Sequence, residues 1–304
     1  MKKITAALLS LMLLLSLGAC ASPSPEPVGE ETSPDIPDVE EIVDFGFDSE
    51  ISVVSREDGS GTRGAFIELF GVQETDDDGN KTDKTTAEAD IADKTAVMMT
   101  SVANNPYAIG YISLGSLNDT VKALEIDGAM ATVENIKDGS YGIQRPFNIA
   151  TKGEATGLAK DFIDFILSAE GQEVVAESCI PLDDMPAYNG GGLSGEITIG
   201  GSSSITPLMQ SLVEAYEAIN TGAKIVIDET DSSAGMTDTI SGTCDIGMAS
   251  RALKDAELEE LIEIEIATDG IAVIVNRDNP INGLTSEQVK SIYVGELNIW
   301  SEIS

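Results

Sequence analysis

Four stretches of this chain place Ser, Thr and Gly where a strand should give way to a helix. They are Ser55-Arg-Glu-Asp-Gly-Ser-Gly-Thr62, Gly200-Gly-Ser-Ser-Ser-Ile-Thr206, Asp231-Ser-Ser-Ala-Gly235 and Ala249-Ser250-Arg251. The start of a helix leaves backbone N–H groups unpaired and carries partial positive charge. Glycines allow close backbone approach, and hydroxyls add donors, so such junctions suit an oxyanion. Taken singly, each is equally well a Ser/Thr helix cap. Arg56 adds a guanidinium able to grip an oxyanion through two parallel donors, with Asp58 two residues on to orient that fork. The alternative for Arg56 is a surface ion pair with Glu57 or Asp58. Neither glycine-rich loop has the Gly-x-x-x-x-Gly-Lys or Gly-x-Gly-x-x-Gly spacing of a nucleotide site.

Composition narrows the chemistry further. A net charge of −36 over 304 residues argues against nucleic acid, which needs a basic surface. A buried site for one small anion is compatible with that charge, because local dipoles and one arginine can serve it. The chain has no histidine, which removes Ser-His-Asp and Cys-His catalysis and histidine-ligated zinc. No cofactor, no metal and no enzymatic activity are expected. Besides Cys20 there are only Cys179 and Cys244, which either pair or sit as small buried hydrophobes.

These junctions need strands and helices to hold them, and a leader to place the chain. Lys2 and Lys3 precede an apolar run from Ile4 to Leu17 that is too short to cross a bilayer. It ends in Leu17-Gly-Ala-Cys20, so residues 1–20 are expected to be a signal peptide, and this ending is similar to the lipobox of bacterial lipoproteins. Residues 21–42, rich in Pro, Ser and Glu, are expected to be a disordered tether. Beyond it, strands are expected at Ile51–Ser55, Ala108–Ser113, Glu196–Ile199, Lys224–Ile227, Asp245–Met248 and Gly270–Asn276. Helices are expected at Thr62–Phe70, Pro207–Asn220 and Thr285–Tyr293, with one long amphipathic helix over Leu158–Ser178. Thr285 and Gln288 have capping-box spacing. The glycine-rich run within residues 188–195 is expected to be a flexible linker. Strands alternating with helices indicate an α/β protein.

The segments SREDGSGTRG (Ser55 to Gly64), ITIGGSSSITP (Ile197 to Pro207), DSSAG (Asp231 to Gly235), DIGMASR (Asp245 to Arg251), DGIAVIVN (Asp269 to Asn276) and AIGYISL (Ala108 to Leu114) resemble one family. It is that of the phosphate-binding proteins of bacterial high-affinity phosphate ABC importers. Here the halves come in swapped order: the segment that opens the family pattern follows the one that closes it, as in a circular permutation. An extra copy of the second half in a longer chain would give the same order.

The resemblance implies an α/β, two-domain periplasmic-binding-protein-like (type II) clamp with a hinge. One domain would combine residues 43–146 with 270–304, and the other would be contiguous over 147–269, containing the linker 188–195. Phosphate contacts would fall on Arg56, Ser60, Gly61, Thr62, Ser204, the N–H of Ile205, Ser232 and Ser250. In some members an aspartate stands at the place of Ser250 and accepts the ligand proton; Asp231 is the acidic candidate left for that role. The implied protein is extracytoplasmic, lipid-anchored at Cys20 to the cell membrane, and passes inorganic phosphate to the permease subunits of an ABC importer. Rival roles are binding another tetrahedral oxyanion, such as sulfate or molybdate, and surface signalling on the same scaffold.

Overall fold

The computed structural model describes residues 45–76 and 79–303. The expected leader 1–20, the tether 21–42 and Cys20 lie outside the described residues. In chain order, β1 (Ser52–Arg56) leads into α1 (Gly61–Leu69), β2 (Asp90–Ala92) into α2 (Thr95–Ala103), and β3 (Ala108–Ser113) follows. Next come β4 (Gln144–Thr151), α3 (Gly157–Ile166), α4 (Ala169–Val175), β5 (Gly195–Ser202) and α5 (Thr206–Ile219). The chain closes through β6 (Ala223–Thr230), α6 (Ser232–Ser241), β7 (Ile246–Ala249), β8 (Ile262–Val275) and α7 (Ser286–Tyr293).

In space these strands lie in the order β6-β5-β7-β4-β8-β3-β1-β2. The outer neighbours are parallel and joined through helices, while β4 and β8 run antiparallel to each other through the middle. All six residues of β3 are buried, as befits a strand covered on both faces. One hydrophobic core gathers Val54, Phe66, Ile109, Tyr111, Val273 and Trp300. A second gathers Phe147, Phe162, Ile199, Leu212, Met248 and Ile266. β8 feeds both, Ile271 packing with the first core and Ala267 with the second, and Ile143, just before β4, packs with the first core while Phe147 on β4 packs with the second.

Three expectations change. The strand expected from Gly270 is the second half of the 14-residue β8, whose first half alternates apolar and acidic residues, as a half-buried strand does. The expected long helix is two helices, because Ser168 caps α4. Its hydroxyl donates to Phe165 O at 2.6 Å and accepts from Gly171 N at 3.1 Å. A Cβ on Gly171 would stand 2.1 Å from the Phe165 carbonyl, so the turn closes onto a glycine.

The third change is the glycine-rich run expected to be a flexible linker, which is tied down at several points. Asp161 accepts from the hydroxyls of Tyr188 and Tyr216 at 2.7 and 2.6 Å and from Gly191 N at 3.2 Å. Asn220 Oδ1 accepts from Gly192 N at 3.0 Å, and Glu170 accepts from Tyr188 N at 2.7 Å. Gly191 and Gly192 have φ of 117° and 74°, which explains the glycines as a fixed left-handed path. Near the two ends of the described residues, Ile51 N donates to Asn298 O and Ser301 N to Phe47 O, both at 2.7 Å. Cys179 and Cys244 are free and buried. Among the described residues, no helix is long and apolar enough to cross a membrane.

Candidate anion-binding site

Arg56 ends β1 with its side chain 2% exposed. Its Nε and Nη2 donate to the two carboxylate oxygens of Glu57, each at 2.8 Å, and Nε also reaches Ala92 O at 3.2 Å. Its remaining reach is toward hydroxyls: Nη1 donates to Thr95 Oγ1 at 3.3 Å and Nη2 to Ser203 Oγ at 3.1 Å. Tyr111 supports the strand end from below. Its hydroxyl accepts from Arg56 N at 3.0 Å and pairs with Ser55 Oγ at 2.9 Å, while its ring stacks on Phe66 with centroids 3.9 Å apart. Burial pushes the Tyr111 hydroxyl up to about 12, so it stays neutral.

Around Arg56 the hydroxyls of both halves meet. Thr62, in the first turn of α1, bonds to Ser204 Oγ at 2.7 Å, and Thr95, opening α2, bonds to Ser203 and Ser204 at 3.2 Å. Ser202 Oγ donates to Ser250 Oγ at 2.9 Å, and Ser250 N donates to Ser232 Oγ at 3.1 Å. A Cβ on Gly61 would lie 2.5 Å from Ser232 Oγ and 2.7 Å from Ser250 Oγ, so only glycine permits this approach. All these hydroxyl side chains are buried. The starts of α1, α2, α5 and α6 therefore share one hydroxyl cluster. Glu57 offsets the charge of Arg56, leaving helix dipoles, N–H groups and hydroxyls to favour an anion.

The structure brings together Arg56, Gly61, Thr62, Ser204, Ser232 and Ser250, while other expected residues are engaged differently. Asp58 does not orient Arg56: its carboxylate is 99% exposed and pairs with Arg63 at 3.0 Å, leaving the fork to Glu57. The Ile205 N–H donates to Ser202 O at 3.0 Å. The Ser60 hydroxyl caps α1 by accepting from Arg63 N at 3.3 Å. Asp231 is the N-cap of α6, its Oδ1 accepting from Ser233 N and Ala234 N at 2.8 and 2.9 Å. Its carboxylate packs against Gly59 with Oδ1 taken up by the cap, and the neighbouring Ser232 joins the hydroxyls.

Sequence reasoning missed Thr95, and it placed Ser202 and Ser203 within a candidate junction while naming only Ser204 of the three serines as a contact. Thr95 follows a strand and opens a helix, as the other junction hydroxyls do, but β2 is only three residues long and Lys94 precedes it without a glycine. Arg63 was missed as well. It holds the strand end by donating to Arg56 O at 2.6 Å and to Asp83 Oδ2 at 2.8 Å. Hydrogen bonds from Thr85 and the Arg63 contact outweigh partial burial and keep the Asp83 carboxyl below its ordinary value.

Residues 19–170 and 186–303 match the PBP superfamily domain. Over 257 residues the chain is 51% identical to the phosphate-binding protein PstS 2 of Streptococcus agalactiae, covering 84% of this chain and 88% of that one. The chain belongs to the PstS family. The crystal structure of a phosphate-binding protein of a phosphate ABC transporter from Streptococcus pneumoniae is also similar, with 43% identity and a TM-score of 0.66. That match covers 84% of this chain and all of the other. Segments therefore run in the same order in these streptococcal PstS proteins and here. The match to PstS of Bacillus subtilis, 37% identical over 145 residues, spans 46% of this chain and 44% of that one.

Proposed function

We propose that this protein captures inorganic phosphate outside the cytoplasm and delivers it to the permease of an ABC importer. The single observation that carries the proposal is the meeting of Arg56 with buried hydroxyls from both cores, at the starts of helices that each core supplies. Such a site binds a tetrahedral oxyanion from opposite sides. Family membership and the names of the streptococcal relatives support phosphate as that oxyanion and an ABC importer as the recipient.

The two cores would be the lobes of a clamp, one over residues 43–146 with 270–304 and the other over 147–269, opening about β4 and β8. The leader and Cys20 support a lipid anchor in the cell membrane. The half-length match to the Bacillus protein supports a circular permutation shared with the streptococcal relatives. Calorimetric titration with phosphate, sulfate and molybdate tests the function. Phosphate should bind most tightly; a preference for sulfate or molybdate would overturn the assignment.

A further inference from the structure

β4 and β8 cross from one core to the other side by side, and Arg145 on β4 stands opposite Asp269 on β8 in the ladder register. Both side chains are buried, at 1% and 0% exposure. Arg145 Nε and Nη2 donate to Asp269 Oδ2 at 3.2 and 3.0 Å, and Ser113 Oγ, at the end of β3, donates to Asp269 Oδ1 at 2.9 Å. The third arm of the guanidinium leaves the pair: Nη1 donates to the carbonyl of Ser250 at 3.1 Å. Ser250 is otherwise held through its N–H by Ser232 and through its hydroxyl by Ser202. Its place among the anion-site hydroxyls thus depends on a residue outside that cluster.

A buried ion pair is a poor way to gain stability, since desolvation can exceed the attraction and an apolar pair of similar volume is often as good. Burial pushes the Asp269 carboxyl up and the Arg145 guanidinium down, and each partner's charge opposes that shift. What an apolar pair could not do is hold Ser113 on one side and Ser250 on the other. Resting on the anion-binding role proposed above, we propose that Arg145, gripped by Asp269, is a positioning residue that fixes Ser250 and thereby sets phosphate affinity without touching the ligand.

The test is titration of inorganic phosphate into wild type, Arg145→Lys and the apolar double variant Arg145→Met with Asp269→Leu, with thermal melting of each. A purely structural pair predicts that affinity returns in whichever variant melts like wild type. Positioning predicts that the double variant keeps its stability yet binds about tenfold more weakly, the equivalent of one hydrogen bond lost. Wild-type affinity in the stable double variant would overturn the inference alone. Should the double variant not fold, Arg145→Lys decides: folded with wild-type affinity, it overturns the inference, and folded with weakened binding, it supports it. A wild type that does not bind phosphate would overturn the anion-binding role and this inference with it.

Discussion

Arg56→Ala should weaken phosphate binding by two to four orders of magnitude, estimated from two hydrogen bonds to a charged partner at about 1.5–3 kcal/mol each. The count of two comes from the geometry. Of the donor directions on Arg56, those toward Glu57 and Ala92 are already committed, while those toward Thr95 and Ser203, at 3.3 and 3.1 Å, face the hydroxyl cluster. Loss of the guanidinium also leaves Glu57, only 19% exposed, as an uncompensated carboxylate beside an anion site. The upper half of the range is therefore expected, and adding Glu57→Gln to Arg56→Ala should recover part of the loss. Arg56→Lys keeps the charge but cannot serve Glu57 and the ligand with parallel donors, so it should fall between. Calorimetry gives the affinities and thermal melting shows that each variant is folded. A folded Arg56→Ala that binds within about threefold of wild type, under 1 kcal/mol, would remove Arg56 from the anion.

Thr95→Val, isosteric but without the hydroxyl, should weaken phosphate binding roughly tenfold, about 1.5 kcal/mol, and an unchanged calorimetric affinity would place Thr95 outside the site. Asp58→Asn should leave affinity unaltered, since its carboxylate is 99% exposed and faces Arg63; a loss comparable to Arg56→Lys would restore it as the orienting residue. Asp161→Ala should cost about 2–4 kcal/mol of stability, because the buried Tyr216 hydroxyl and the chain at Gly191 lose their acceptor. Hydrogen bonds from Tyr216, Tyr188 and Gly191 outweigh desolvation and hold the Asp161 carboxyl below its ordinary value. A group lowered in the folded state stabilises above its unfolded pKa of about 3.9 and loses that effect as pH falls through the lower folded value. The gap in melting temperature between wild type and Asp161→Asn should therefore narrow on acidification below that range; a gap constant from neutral to strongly acid pH would contradict the assignment.

Much of the site was legible because strand–helix junctions announce themselves through small residues, and Arg56, Thr62, Ser204, Ser232 and Ser250 all sit on such junctions. Elements with clean periodicity, such as α5 and α7 with its Thr285 cap, were equally readable. What stayed hidden was direction. Glu57 and Asp58 are adjacent acids, and sequence spacing does not say which carboxylate turns back toward Arg56. Asp231 looked free for a ligand proton because its competing partners, two N–H groups one turn ahead, exist only once α6 forms. The glycine-rich joint read as flexible by composition, but its anchors Asp161 and Asn220 are supplied by other elements.

The two cores differ in how soon a growing chain can complete them. Every buried member of the second lies between Phe147 and Ala267, an unbroken stretch whose last strand arrives with the first half of β8. The first core cannot close until Ile271 to Trp300 has emerged, and the bonds from Ile51 to Asn298 and from Ser301 to Phe47 join nearly opposite ends of the described chain. Loop-closure entropy and contact order both delay such a pairing. The portion made first is thus finished last, and its wholly buried strand β3 waits unpaired with β8 while the second core assembles. In a chain with the halves in the other order that delay would fall elsewhere, so two proteins of one shape would expose different surfaces to chaperones and proteases while they fold.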